Sequence, residues 1–325
     1  MVYAARLTVL GSLNMDISVT VPDLPVPGAT VLGSAAVFAP GGKGANQAVA
    51  AARLARDAGM PVAMIGCTGD DDFGRTLREA LRAEGIDDSQ VRTVAGAPTG
   101  IAMITVDRTG ENMITVAPGA NREVSTADLA ETAGASHDVL VISAEVPVPV
   151  ISAALAASAG RGLRVLNLAP APSRAEAAAL VAAGPDWLVV NESEAAAVLG
   201  RPVAGLAEAA GAAADLVAAG ARNAVVTAGA AGAAYCGPQR TPGARPGVVT
   251  VPGFKVTAID TVGAGDTFVG ALAVALAAGV PPADAVTAAA AAGAAAAARP
   301  GTQSGMPRPA DVLAVTGHRW PVTSR

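Results

Sequence analysis

Short, mostly apolar runs alternate along much of this chain with longer stretches whose apolar residues recur every three to four positions. Leu7 to Gly11, Val62 to Cys67, Asp138 to Ser143, Leu163 to Asn167 and Trp187 to Val190 read as strands buried on both faces. Helical patterns follow them. One follows Gln47 and runs to about Ala58, and others cover Asp70 to Glu84, Thr126 to Ala133, Pro147 to Ser158 and Arg174 to Ala182. A short helix from Glu192 and a longer one from Ala204 to Ala218 precede strands Asn223 to Thr227 and Ala231 to Cys236. A β-rich run, Pro252 to Ile259, then leads to helices Thr267 to Ala278 and Ala283 to Ala298 and a tail containing Gly301 to Gly305. Alternation of this kind predicts an α/β fold in three layers, with a mostly parallel central sheet covered on both faces.

Two stretches break the rhythm. Val19 to Phe38 is rich in Val, Pro and Gly and lacks a helical period, which suits short strands that leave the main sheet. Thr99 to Val106 and Asn112 to Val116 flank the turn Asp107-Arg108-Thr109-Gly110, a hairpin signal. Together they predict a small β-sheet lid, residues 17–38 and 99–117, on a single domain spanning 1–325. The lid would cover a site beyond Asn14 and Asp16, which follow the C-terminal end of the first strand, where open α/β sheets bind ligands.

Composition narrows the function. The chain has 325 residues, 22 basic against 27 acidic, and no basic tract, which argues against nucleic acid or an anionic membrane surface as partner. Its 52% hydrophobic content is inflated by alanine, and the longest apolar run, Ala285 to Ala298, is interrupted by Thr287 and Gly293 and reads as a tightly packed helix rather than a membrane span. Val2 to Leu10 enters a strand pattern with no cleavage site, and Cys67 and Cys236 lie far apart without metal spacing. A reduced, cytoplasmic protein is expected. His137 and His318 have no partner motif.

The stretch Asp260-Thr-Val-Gly-Ala-Gly-Asp266 carries the most chemistry. A small-residue turn at a helix N-terminus offers free N–H groups and the positive dipole end to a phosphate. A carboxylate there opposes an anion, so Asp266 is either a helix cap or a base that takes a proton from an acceptor hydroxyl while the amides stabilise a transferring phosphoryl group. Other phosphate loops fit poorly. Lys43 is followed by Gly44 where a P-loop needs Ser or Thr, and Phe268 stands where a dinucleotide fingerprint needs its last glycine.

Four segments, Gly11-Ser-Leu-Asn-Met-Asp16, Gly41-Gly-Lys-Gly-Ala-Asn-Gln47, Asn191-Glu-Ser-Glu194 and Asp260 to Asp266, stand in the order and at the separations of the PfkB carbohydrate kinases. Cys67-Thr-Gly-Asp-Asp-Asp72, Asn167-Leu-Ala-Pro-Ala-Pro172 and Val251-Pro-Gly-Phe254 extend the similarity, so that the chain resembles this family from Leu7 to about Pro307. The first two segments resemble its ribokinase branch. The resemblance implies the ribokinase-like three-layer fold and transfer of the γ-phosphoryl of ATP to O5 of D-ribose, giving D-ribose 5-phosphate. Asp266 would be the base, and the amides of Gly263, Ala264, Gly265 and Asp266 the anion hole. Asn14, Asp16, Gly42, Lys43, Asn46, Glu145 and Asp266 would hold the sugar.

On the nucleotide side the resemblance implies contacts from Asn191, Thr227, Gly229, Gly232 and Gly265, with Glu194 organising Mg²⁺ through water. It also implies a monovalent-cation site, normally K⁺, formed by Asp260 and carbonyls of Val262, Ala296, Arg299 and Gly301, plus residue 305. Two positions depart from the family. Gly305 stands where a serine hydroxyl is frequent, and Ala290 where some members place a histidine near adenine. The resemblance further implies a homodimer through the lid. Taken singly, these residues have ordinary readings too: Asn14 and Asp16 as turn formers, Asn46 as a cap, Glu145 as a solvated charge and Asp260 as a structural carboxylate. Asn191 and Glu194 also suit a helix start, and Thr227 to Gly232 a tight turn. Alternatives in function are a kinase of fructose, deoxyribose or a ketodeoxy-sugar acid, or a non-catalytic sugar-binding regulator. Intact Asp266 and Glu194 disfavour the regulator, and 2% aromatics leave little surface for a nucleoside acceptor.

Overall fold

The computed structural model describes residues 5–129, 138–238 and 247–322. In chain order the strands are β1 (Leu7–Leu10), β2 (Asn14–Thr20), β3 (Val37–Gly41), β4 (Val62–Gly69), β5 (Asp87–Val94), β6 (Gly100–Val106), β7 (Asn112–Ala117), β8 (Val139–Ser143), β9 (Leu163–Asn167), β10 (Trp187–Asn191), β11 (Ala224–Thr227), β12 (Gly232–Gly237) and β13 (Gly247–Pro252). The helices are α1 (Lys43–Ala55), α2 (Asp72–Ala83), α3 (Val148–Ala157), α4 (Arg174–Ala182), α5 (Glu192–Leu199), α6 (Gly205–Ala218), α7 (Ala264–Ala277), α8 (Pro282–Ala297), α9 (Thr302–Gly305) and α10 (Pro309–Thr316). Among the described residues, nine strands form the central sheet in the order β13-β12-β11-β10-β9-β8-β1-β4-β5, and β3-β2-β6-β7 form a separate sheet. The central strands pair in parallel except at β11-β12 and β12-β13.

Period-two alternation feeds two cores, one on each face of the sheet. Along β8, Val139 and Val141 enter the core made with α1, α2, α7 and α8, while Leu140 and Ile142 enter the one made with α3, α4, α5 and α6. This is the three-layer fold expected from the alternation. Alanine and glycine let the helices of the first core approach closely: a Cβ on Gly270 of α7 would lie 2.6 Å from the carbonyl oxygen of Gln47 on α1. No helix among the described residues is long and apolar enough to cross a membrane.

Several elements differ from expectation. The segment 253–259 is not a strand; the strand is β13, which pairs with β12 and ends at Pro252. Residues 21–36 also lack strand structure, and the lid strands flank them as β2 and β3. Both errors mistake β-branched and glycine content for pairing, which depends on a partner edge. Strand β5 was invisible because Asp87, Asp88, Ser89 and Gln90 give it no apolar run. The tail carries helices α9 and α10. Thr126 to Ala133 begins as one 3₁₀ turn, Thr126–Leu129, and its remainder, like His137, lies outside the described residues. Helix α7 begins at Ala264, so Gly265 and Asp266 belong to its first turn rather than preceding it.

Candidate functional site

The chain leaves β1 at Leu10 and turns through Gly11 to Leu13 into β2, which carries Asn14 and Asp16 at the root of the lid. Asn14 pairs with Gly41 of β3, and Gly42 (φ 89°) then caps α1. Side chains at these glycines would destroy the arrangement: a Cβ on Gly41 would fall 2.1 Å from Oδ2 of Asp16, and one on Gly42 2.6 Å from the nitrogen of Asn14. Asn14 is buried, and its Oδ1 accepts from Nδ2 of Asn121 (2.8 Å). Asn121 is in turn fixed by both main-chain groups of Leu13. Glu145 reaches the same space and accepts from the Ser12 hydroxyl and the Lys43 amide (3.3 Å).

Four carboxylates, Asp16, Glu145, Glu194 and Asp266, act on Lys43. Burial pushes the Asp16 carboxyl up to about 7, with Glu145 and then Asp266 adding to the rise and Lys43 opposing it. Lys43 is held in its charged form, above the usual lysine range, chiefly by Asp266 and against burial. Glu145, Glu194 and Asp16 add to this. One ammonium therefore feels carboxylates from both ends of the site.

Asp266 is buried on the first turn of α7. Its Oδ2 accepts from Nδ2 of Asn46 (3.0 Å) and its Oδ1 from Nε2 of Gln47 (3.1 Å). Gly263 (φ 79°) precedes the helix in a left-handed conformation. The amide of Ala264 turns back onto Thr261 O (3.2 Å), so it does not point outward as the four-amide anion hole requires. Gly265 and Asp266, second and third in the helix, have N–H groups with no intrahelical carbonyl. A Cβ on Gly265 would meet nothing within 4 Å, so open space lies over these amides.

That space belongs to a cavity of about 330 Å³, lined among others by Lys43, Asn191, Glu194, Thr227, Gly263 and Asp266, with Asn112 and Ile114 of the lid. Asn191 and Glu194 form a capping box on α5: Asn191 N–H donates to Glu194 Oε2 and Glu194 N–H to Asn191 Oδ1, both at 2.8 Å. Their capping and site-lining positions coexist. Burial, with Asp266 adding, raises the Glu194 carboxyl above its ordinary range, against the Asn191 amide and Lys43. Gly229 and Gly232 are not among the cavity's lining residues; they shape the turn into β12, where a Cβ on Gly232 would meet Val251 O at 2.0 Å. No cluster of three or more His, Cys, Asp or Glu suited to a metal occurs among the described residues. Glu194, in a cavity it shares with Asp266, suits Mg²⁺, which takes few protein carboxylates and keeps waters and phosphate oxygens.

Behind the turn, Asp260 ties two loops by accepting from Val262 N (2.9 Å) and Gly301 N (3.0 Å). Carbonyls at the C-terminal end of α8 gather here, with Ala297 O accepting from Ile259 and Asp260, and Ala296 O from Arg299. Hard oxygen donors at a negative dipole end suit a monovalent cation. Gly305 is buried, and a Cβ there would lie 3.2 Å from Arg299 O and from Pro300 O. Ser304 is exposed, and its hydroxyl is spent on Pro300 O (3.2 Å).

Sequence reasoning passed over Ser12, Gln47, Asn121, Asn167 and Gln303, which hold other site residues. Ser12, Gln47 and Asn167 lie in segments singled out for other reasons; for none of the five does local spacing mark the partner, since the separations reach 257 residues.

A lidded α/β sheet with a buried carboxylate beside the free amides of a helix N-terminus defines a phosphoryl-transfer enzyme that acts on a hydroxyl. The model of the pfkB family of carbohydrate kinases matches residues 4–309. The chain is 36% identical to a ribokinase of Schizosaccharomyces pombe, covering 93% of this chain and 95% of that one. It is 34% identical to a deoxyribokinase of Salmonella typhi, over 82% and 84% respectively. The structure of Arabidopsis thaliana ribokinase complexed with ribose and ATP superposes with a TM-score of 0.80 at 28% identity, covering 97% of this chain and all of that one (100%). The chain belongs to the pfkB family of carbohydrate kinases. It is a sugar kinase.

Proposed function

We propose that this enzyme transfers the γ-phosphoryl of ATP to O5 of D-ribose, with Asp266 as general base. The observation that supports the reading is the position of Asp266: its buried carboxylate, held by Asn46 and Gln47 of α1, lines the same cavity as Lys43, Gly263 and Gly265. Asn14, Asp16, Lys43, Asn46 and Glu145, with the close backbone at Gly42, supply the converging donors and acceptors that a neutral polyol needs, and hydroxyl recognition of this kind rejects sugars lacking a partner. Asp266 accepts the proton of O5 as that oxygen bonds to the γ-phosphorus and the bond to the bridging oxygen of ADP breaks. The amides of Gly263, Gly265 and Asp266 stabilise charge on the moving group.

Asn191, Thr227, Gly229 and Gly232 serve the nucleotide. Mg²⁺, when bound near Glu194 through water, supplies charge neutralisation on the phosphates. A monovalent cation would be held by Asp260 with carbonyls of Val262, Ala296, Arg299 and Gly301. The lid leaves Val37, Phe38, Met103, Met113 and Val116 exposed, each by at least 43%, and an apolar projecting sheet of this kind suits burial against the lid of a second copy.

A phosphorylation assay over ribose, deoxyribose, fructose and a ketodeoxy-sugar acid, with and without K⁺, tests the substrate. Ribose is expected to give the highest kcat/KM, and a preference for any other sugar overturns that assignment. Asp266→Asn is expected to keep less than ~1% of the parent rate; more than that overturns the base. Sedimentation at micromolar concentration is expected to show a dimer.

A further inference from the structure

Gln47 is fully buried, yet its Oε1 has no hydrogen-bond partner. An unpaired buried amide oxygen is destabilising, so a residue serving the fold alone would gain by being apolar. The other end of the same amide explains its presence. Asn167 donates from Nδ2 to Val189 O of β10 (3.0 Å), which turns its Oδ1 toward Gln47. Nε2 of Gln47 donates to that oxygen (2.9 Å) and to Oδ1 of Asp266 (3.1 Å). A flipped Gln47 would set its oxygen against two other acceptors, so the main chain of β10 dictates, through Asn167, that an N–H faces Asp266. The close crossing of α1 and α7 at Gly270 brings Gln47 there.

The second oxygen is held in the same manner. Nε2 of Gln303 donates to Asn46 Oδ1 (3.0 Å), leaving Asn46 Nδ2 for Asp266 Oδ2. Arg53, paired with Glu84, anchors this arm by donating to the carbonyls of Gln303 and Met306.

We infer that Gln47 is a positioning residue for the reaction: with Asn46 opposite, it clamps the Asp266 carboxylate in one orientation toward the acceptor hydroxyl. The inference rests on the proposal that Asp266 is the base. Misplacing a reacting group by about 1 Å costs on the order of a hundredfold in rate, while sugar contacts made by other residues survive.

Gln47→Met keeps the volume and removes both the N–H donor and the orphaned oxygen. Expected are a Tm equal to or above the parent's, a sugar KM within about threefold, and a kcat lower by at least about tenfold. If Met is not accommodated, Gln47→Leu, which likewise has neither the donor nor the orphaned oxygen, is expected to give the same split of kcat against KM. Asn167→Leu should lower kcat as well, and the double variant no further than the worse single, because Asn167 acts through Gln47. A kcat within about twofold of the parent, losses that multiply in the double variant, or a Tm that falls in step with kcat each overturn the inference. Asp266→Asn in the same series separates the two failures. If it stays active the base reading falls, and if it is inactive while the Gln47 variants are unimpaired only the clamp falls.

Discussion

The two halves of the site are built from different materials. On the lid side, charged and amide side chains converge: Asp16, Glu145, Lys43, Asn14 and Asn46. On the α7 side the residues that line the cavity where the helix starts are small, Gly263 and Gly265, and offer main-chain groups, with carbonyls of Ala296, Ala297 and Arg299 behind them. The first half recognises through side-chain identity and changes charge with pH. The second recognises through backbone shape, so its critical residues are those whose side chains are missing.

The largest effects should show this division. Asp16→Ala is expected to lower kcat/KM for ribose by about a hundredfold or more, with the KM for ATP within about twofold of the parent. Steady-state titration of each substrate against a saturating partner reads both. Equal damage to the two KM values would mean that the halves are not separable.

Next comes the converse change. Gly263 has φ 79°, and a Cβ there would lie 2.8 Å from Cγ2 of Thr302. Gly263→Ala should therefore destabilise by about 1–2 kcal/mol and lower kcat at least about tenfold by moving the amides of Gly265 and Asp266. Sugar affinity, followed as the rise in Tm on adding ribose, should remain. A variant that loses that rise would show that the turn also shapes the sugar pocket.

A smaller effect separates the halves by pH. Burial, with Glu145 and Asp266 adding, pushes the Asp16 carboxyl, ordinarily near 3.8, to about 7. Between those values the folded chain holds a proton that the unfolded chain has released, so the contribution of Asp16 to stability declines as pH rises from about 4 and its cost is complete above 7. Asp16→Asn removes that cost. Its stability relative to the parent should grow by about 1–2 kcal/mol between pH 5 and pH 8, solvent in the open pocket having been allowed for. Denaturant melts at the two pH values measure it, and a constant difference would show that Asp16 titrates normally.

The same division explains what could be read from the sequence. The placement of Asn14, Asp16, Glu194 and Asp266 at strand ends and helix starts was legible because polar residues interrupt apolar runs there. The sheet was legible because strands such as β8 and β9 are buried on both faces. Strand β5 was not, since its pairing with β4 is made by main-chain groups under polar side chains. Nor were the supports: Asn121 below Asn14, Asn167 against Gln47 and Gln303 against Asn46 are brought in by topology from more than 100 residues away. Asp71, part of a run that read only as resemblance, accepts from Thr99 and ties α2 to the root of β6, a contact that no spacing announces.

Gly305 is where backbone and side-chain recognition meet, and changing it should have the smallest effect. The proposed cation site has a carboxylate and carbonyls but no hydroxyl, because Ser304 is exposed and donates to Pro300 O. Gly305→Ser would add an oxygen on the buried side, from a Cβ that lies 3.2 Å from two carbonyl oxygens, so the loop must give by a few tenths of an ångström. The strain should lower Tm by about 1–3 °C without K⁺. With K⁺ the added donor, worth about 0.5–1.5 kcal/mol, should lower the half-saturating concentration by about two- to tenfold. Two readouts carry this independently: the rise in Tm on adding K⁺, which needs no turnover, and the K⁺ dependence of kcat. If Tm rises with K⁺ equally in parent and variant, the hydroxyl at 305 is no ligand and the site is complete with main-chain oxygens and Asp260. If neither protein responds to K⁺, the carbonyl cluster at the end of α8 only ties the Asp260 loop to Gly301, and the α7 turn is shaped by hydrogen bonds alone.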